Sequence, residues 1–94
     1  MTANQDAGES VLVAKEFLSS KVTKYVVRAR DIARRRRPGQ FVIVRSFAES
    51  ERIPLTIADG DEQEGTITLI VQEVGKSTAE MAHMMRVGDR FADV

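Results

Sequence analysis

Apolar and polar positions alternate along most of the chain with a period of two, the spacing of a strand whose two faces meet different surroundings. Val11–Leu18 and Val22–Ala29 are β-rich runs separated by Ser19-Ser20-Lys21, which predicts a hairpin. Gln40–Ser46 carries Phe41, Val42, Ile43 and Val44 in succession, and such a run predicts a strand buried on both faces. Pro38-Gly39 punctuates its start. Ile53–Ala58 reads as a fourth strand, which tolerates Pro54 only at an edge, a strand start or a bulge. Asp59-Gly60-Asp61-Glu62 predicts a polar turn, and Thr66–Val74 is the clearest strand of the sequence. The period then changes. Over Ser77–Met85, Met81, Met84 and Met85 fall at i, i+3 and i+4 and make one apolar helical face. Ser77 or Thr78 can cap that helix, and Ser77-x-x-Glu80 matches a capping box. A last short strand is expected from Arg90, after Val87-Gly88-Asp89. Five or six short strands with one short helix predict a closed antiparallel β-barrel, whose closure removes exposed strand edges.

Composition narrows the classes of function. Ninety-four residues allow a single core, and an apolar share of 43% is that of an ordinary globular domain. No apolar run approaches the roughly 20 residues of a membrane span. Met1–Gly8 is polar, lacks the pattern of a signal peptide and is expected to be a disordered tail, leaving 9–94 as the folded domain. Cysteine is absent from the chain, which fits a reducing cytoplasm and removes thiolate ligation of zinc or iron–sulfur clusters. His83, the single histidine, cannot build a metal site alone or form a nucleophile–base pair with a cysteine. Net charge is zero, yet residues 1–47 hold ten Lys/Arg against four Asp/Glu, and residues 48–94 hold the reverse. Electrostatics must therefore be argued locally.

Three segments carry candidate chemistry. In Gly75-Lys76-Ser77-Thr78 a glycine ends a strand where a helix begins, so unpaired N–H groups and the positive end of the helix dipole meet a lysine and two hydroxyls. Together these features can cradle a phosphate, although an ordinary capped helix after a turn is the plainer account of the residues alone. It is not a P-loop, because Leu69 or Ile70 stands where the upstream glycine belongs. In Arg52-Ile53-Pro54-Leu55-Thr56 the guanidinium fork suits a pyrophosphate, and Thr56 lies on the same strand face, about 13 Å away. An edge strand with a surface arginine explains the segment as well. Arg34-Arg35-Arg36-Arg37, preceded by Arg28 and Arg30, is a third anion candidate, for nucleic-acid phosphates. No aromatic residue for base stacking lies within that run, so a solvated loop or helix end is the plainer account. The acidic cluster Asp59, Asp61, Glu62 and Glu64 lacks the spacing of an EF-hand.

Four stretches occur in an order that resembles a known family. They are Asp31-Ile32-Ala33, then Arg37-Pro38-Gly39-Gln40-Phe41-Val42-Ile43-Val44-Arg45, then Arg52-Ile53-Pro54-Leu55-Thr56-Ile57-Ala58, then Val71-Gln72-Glu73-Val74-Gly75-Lys76-Ser77-Thr78. Over roughly residues 9–94 the chain resembles the N-terminal barrel of the sulfide dehydrogenase and dihydroorotate dehydrogenase electron-transfer subunits. The likeness is strongest to the small subunit of NADH-dependent ferredoxin:NADP oxidoreductase, within the ferredoxin–NADP reductase superfamily.

The resemblance implies an all-β, six-stranded antiparallel Greek-key barrel that binds FAD on its surface. It implies Arg52 at the FAD pyrophosphate and Thr56 beside the flavin ring, with Pro54 and Leu55 shaping that wall. Ile70, Val71 and Gln72 would line the ribityl and ribose, and Gly75, Lys76, Ser77 and Thr78 would wrap the pyrophosphate. Family members continue into a nicotinamide-binding domain and cysteines that hold a [2Fe–2S] cluster, whereas this sequence stops at Asp93-Val94. The implied role is that of an FAD domain in an NAD(P)H-linked oxidoreductase subunit. It would pair with a larger subunit, lack turnover on its own and be prone to self-association.

Overall fold

The computed structural model describes residues 9–35, 37 and 39–94, so the expected tail and the contributions of Arg36 and Pro38 lie outside the described residues. Strands β1 (Leu12–Phe17) and β2 (Val22–Arg28) form the expected hairpin. Helix α1 (Arg30–Arg35) follows, then β3 (Phe41–Val44), β4 (Ile53–Asp61), β5 (Thr66–Gln72) and helix α2 (Lys76–Met84). All strand pairs are antiparallel, in the order β1-β2-β5-β4-β3. β3, β4 and β5 are successive neighbours, while β2 returns beside β5 across the longer connection, which is a Greek-key arrangement.

Among the described residues the sheet has five strands and is not closed into a barrel, and the sixth ladder expected at Arg90 does not form. The chain's end instead makes two isolated bridges, Val11 with Arg90 and Arg45 with Asp93. The backbone of residues 88–93 nonetheless bonds to β1 at Leu12 and to Arg45, the residue after β3. Gly88 N–H donates to the Leu12 carbonyl and Phe91 N–H to that of Ser10, each at 2.8 Å, while Arg45 N–H donates to the Asp93 carbonyl at 3.1 Å. Gly88, with φ at +99°, breaks any extended run where a ladder would start.

The alternation read from the sequence sorts side chains between core and surface. Leu12, Tyr25, Val27, Val44, Ile67 and Leu69 are fully buried, joined by Met81, Met85 and Phe91. Full burial of each such side chain is worth about 1.5–3 kcal/mol, so Met81 and Met85 anchor α2 firmly against the sheet. Met84, the third member of the expected stripe, is 59% exposed and does not belong to that face.

Two expectations about turns are corrected. β4 runs on through Asp59-Gly60-Asp61, and the reversal falls at residues 62–65, where Glu64 N–H donates to the Asp61 carboxylate at 3.0 Å. Gly65 takes a φ of +71° and can close the turn there. Neither Ser77 nor Thr78 is the N-cap of α2; Gly75 holds that position. The Thr78 hydroxyl instead reaches back, accepting from the N–H of Val74 at 2.8 Å and of Gly75 at 3.0 Å. Glu80 accepts from the Ser50 hydroxyl rather than completing a capping box. Pro54 pairs with Ile43 in the stretch of β4 that precedes its pairing with β5, an edge position that needs no proline N–H.

Candidate cofactor-binding site

β4 begins against β3 and ends against β5, with a register shift between Ile57 and Asp59. Side chains alternate along its first half: Arg52, Pro54 and Thr56 are exposed, while Ile53, Leu55 and Ile57 lean into or pack against the core. β3 carries Phe41 opposite Thr56 and Ile43 opposite Pro54. Cross-strand partners share a face. Phe41 and Ile43 are 59% and 42% exposed, so the strand expected to be buried on both faces is buried on one. On β5, Ile70 and Gln72 are exposed and Val71 is buried. Val71 thus offers a surface ligand backbone rather than side chain. The result is an outward apolar strip of Phe41, Ile43, Pro54 and Ile70, with Thr56 as its hydroxyl.

The turn from β5 into α2 borders a separate open groove of about 220 Å³, lined by Gly75, Lys76, Ser77 and Thr78 together with Val74, Glu51 and Ile53. The first bond inside α2 runs from Ala79 N–H to the Gly75 carbonyl, at 2.9 Å. The N–H groups of Lys76, Ser77 and Thr78 therefore have no carbonyl four residues back and leave the positive end of the helix beside the groove. The Lys76 ammonium is exposed, and no acceptor among the described residues holds it. Glu51 is the opposing charge on the far wall.

Gly75 is extended, with φ at −173°, a conformation open to any residue, and a Cβ built there meets nothing within 4 Å. Neither backbone strain nor packing within the protein asks for glycine at this position. The Thr78 hydroxyl is engaged by backbone, so Lys76, Ser77 and the free N–H groups are what the turn can offer an anion.

Arg52 does not line the groove. Its Nε and Nη2 lie 3.1 and 3.0 Å from Asp93 Oδ2, and Arg45 Nε lies 3.0 Å from the same oxygen. Arg34 pairs with Asp31 at 2.9 Å on α1, so part of the basic run is neutralised within its own helix. His83 sits 2.7 Å from Glu73, which Lys21 also approaches at 3.7 Å. Among the described residues no group of acidic, histidine or cysteine side chains is arranged to hold a metal ion. No helix among them is long and apolar enough to cross a membrane.

The antiparallel sheet and its helices are similar in fold to a ferredoxin reductase-like neighbour. The protein superposes on a chain of the NADH-dependent reduced ferredoxin-NADP oxidoreductase, a structure that concerns flavin-based electron bifurcation. The TM-score is 0.86 and the identity 34%, over 90% of this chain and 30% of that one. The dihydroorotate dehydrogenase B (NAD(+)) electron transfer subunit homolog of Thermotoga maritima is 36% identical over 83 residues, 88% of this chain and 29% of the relative. An uncharacterized protein in the adh 3′ region of Clostridium beijerinckii is 40% identical over 82 residues, 87% of this chain and 27% of the relative. No protein-family model matches. Over nearly its whole length the chain is homologous to part of the dihydroorotate dehydrogenase-type electron-transfer subunits, the family its ordered motifs resemble. It spans less than a third of the length of these relatives.

Proposed function

We propose that the chain is the FAD-binding β-barrel of an electron-transfer oxidoreductase subunit, with residues 88–93 in the place of the sixth strand. The observation that carries this reading is the groove at the start of α2, where a helix N-terminus, a free lysine and an unforced glycine converge. A diphosphate needs those donors and that room. Lys76, Ser77 and the N–H groups of the Gly75–Thr78 turn bind it from the helix side, and Arg52 does so from the β4 side. Pro54, Leu55 and Thr56 form the wall of the ring site, which Phe41 and Ile43 extend. The exposed side chains of Ile70 and Gln72, with the backbone of Val71, flank the sugar chain between the two. Bound flavin supplies the redox chemistry, and the protein supplies position, dryness and electrostatics.

In the longer protein this part would serve electron exchange between NAD(P)H and an iron–sulfur or partner-dehydrogenase acceptor, in the cytoplasm, with a larger subunit alongside. On this reading any nicotinamide and [2Fe–2S] sites lie outside the stretch matched to the relatives. Alone, the chain is expected to bind flavin without turnover.

Titration of the purified chain with FAD, followed by flavin fluorescence and absorbance, tests the reading. Saturable quenching and a shifted flavin spectrum are expected; unchanged signals at high micromolar protein would refute autonomous binding. Arg52→Ala should weaken affinity about tenfold or more, the loss of a charge-assisted hydrogen bond. Equal affinity would remove Arg52 from the site.

A further inference from the structure

We infer that Asp93 is a positioning residue for Arg52, holding the guanidinium ready for an anionic group of the cofactor while cancelling its repulsion with Arg45. The inference rests on the FAD reading above only for what Arg52 awaits. Three chain segments lie side by side here. The pair Val44–Ile53 ends the β3–β4 ladder, so one step further Arg45 and Arg52 face each other across adjacent strands. Like charges placed so are destabilising. On the other side of Arg45, a backbone bridge fixes Asp93: Arg45 N–H donates to the Asp93 carbonyl at 3.1 Å, and Asp93 N–H returns to the Arg45 carbonyl at 3.2 Å.

The Asp93 carboxylate is thereby pinned by main chain, not by its own side-chain rotamer alone. A single oxygen, Oδ2, accepts a hydrogen bond from Arg52 Nε at 3.1 Å, with Arg52 Nη2 and Arg45 Nε at ion-pair distance, 3.0 Å each, the Arg45 Nε–H lacking hydrogen-bond geometry. Arg45 is further tied by Nη1 to the Ala48 carbonyl at 2.9 Å. Arg52 is therefore held along one edge, through Nε and Nη2. Guanidinium has five N–H donors, so the Nη1 end remains open for a second, bidentate acceptor. Two guanidiniums on one carboxylate also leave the cluster one positive charge in excess, so the clamp orients Arg52 without neutralising the site. Residues 88–93, otherwise a seam along the sheet, thus act on the cofactor side as well.

Two measurements on the full chain test this. Side-chain NMR of arginine Nε–H groups should show Arg52 ordered in the unmodified chain and mobile in Asp93→Asn, which keeps shape and loses charge. Equal mobility in the two overturns the positioning role, whether or not flavin binds. Affinities for FAD and for riboflavin, which lacks phosphate, are then compared across Asp93→Asn, Arg52→Ala and the double variant. Asp93→Asn should weaken FAD binding about tenfold, leave riboflavin unchanged and add nothing once Arg52 is alanine. Losses that are equal for both ligands, or additive with Arg52→Ala, would reveal a merely structural residue and overturn the inference. An Arg52 that loosens in Asp93→Asn in a chain that binds no FAD upholds the positioning role and refutes autonomous FAD binding instead.

Discussion

At the scale of single residues, burial and hydrogen bonding set what each group can do. Tyr25 is fully buried, and its hydroxyl has no hydrogen-bond partner among the described residues. The hydroxyl of Thr23, two positions away on the same strand face, lowers the phenol's pKa by its proximity yet makes no bond of ordinary geometry with it. Burial outweighs that influence, and with the added charge of Glu73 it pushes the pKa from 10.0 up to about 12. The sign follows directly. Below pH 10 the phenol is neutral in folded and unfolded chains alike; between 10 and 12 only the unfolded chain ionises, so the stabilising contribution is lost as pH rises. Tyr25 is the only tyrosine and tryptophan is absent, so near-ultraviolet absorbance reports this one group. A phenolate midpoint near 10 in the folded chain would contradict it. Tyr25→Phe should be neutral or stabilising at pH 7, since it removes an unpaired buried hydroxyl, and should flatten the alkaline slope. Gly75→Val separates ligand room from folding: the melting temperature should stay within a few degrees while FAD affinity falls several-fold. A large loss of stability would instead give Gly75 a structural role. The motif residues were legible one at a time in the sequence, because donors such as Arg52 and Lys76 declare their chemistry by type. What Arg52 touches was not, since Asp93 lies 41 positions away in the chain.

At the scale of elements, period two identified the strands and the hairpin, because alternate burial on a pleated sheet is a local property. The run Phe41–Val44 departs from the expected two-sided burial for a physical reason: apolar side chains on an outer face and apolar side chains facing a core look alike in sequence. Only the register that sets Phe41 opposite Thr56 assigns them to the outer face. Strand ends escaped for a similar reason. Asp59-Gly60-Asp61 has turn composition, yet pairing with Thr68, Ile67 and Thr66 draws it into β4 and moves the reversal onto Gly65. That shift makes Gly65→Ala informative. The residue needs a φ of +71°, and a Cβ would meet Arg30 Cγ at 2.6 Å. The arginine stem can swing aside, so the backbone term governs, and a cost of about 1–2 kcal/mol is expected. Thermal unfolding measures it, at roughly 4–8 °C per kcal/mol for a domain of this size. An unchanged melting temperature would mean that the turn relaxes freely. Helix α2 is held at its far end as well, where the Lys15 ammonium donates to the Met85 carbonyl at 2.7 Å and also to that of Ala82. Burial lowers the pKa of that ammonium against the opposing pull of Asp89. No helix-pattern argument points to Lys15, because a cap supplied from a distant strand leaves no mark on the helix sequence.

At the scale of the whole molecule, the unequal charge of the two halves resolves into neighbours rather than poles. α1, rich in arginine, packs beside β4 and β5, whose connecting hairpin holds the acidic cluster. Greek-key order brings these distant stretches together, which composition alone does not foretell. The chain's end completes the picture: residues 88–93 bond to Ser10 and Leu12 on one flank and to Arg45 on the other. Those contacts join positions near the first described residue to positions near the last, so their loop-closure entropy is met late. During synthesis the five strands can pair while this stretch is still in the ribosome. Arg52 then remains without its counter-charge until Asp93 has emerged, so under the proposed positioning role any affinity for an anionic cofactor is expected to follow the pairing of the five strands.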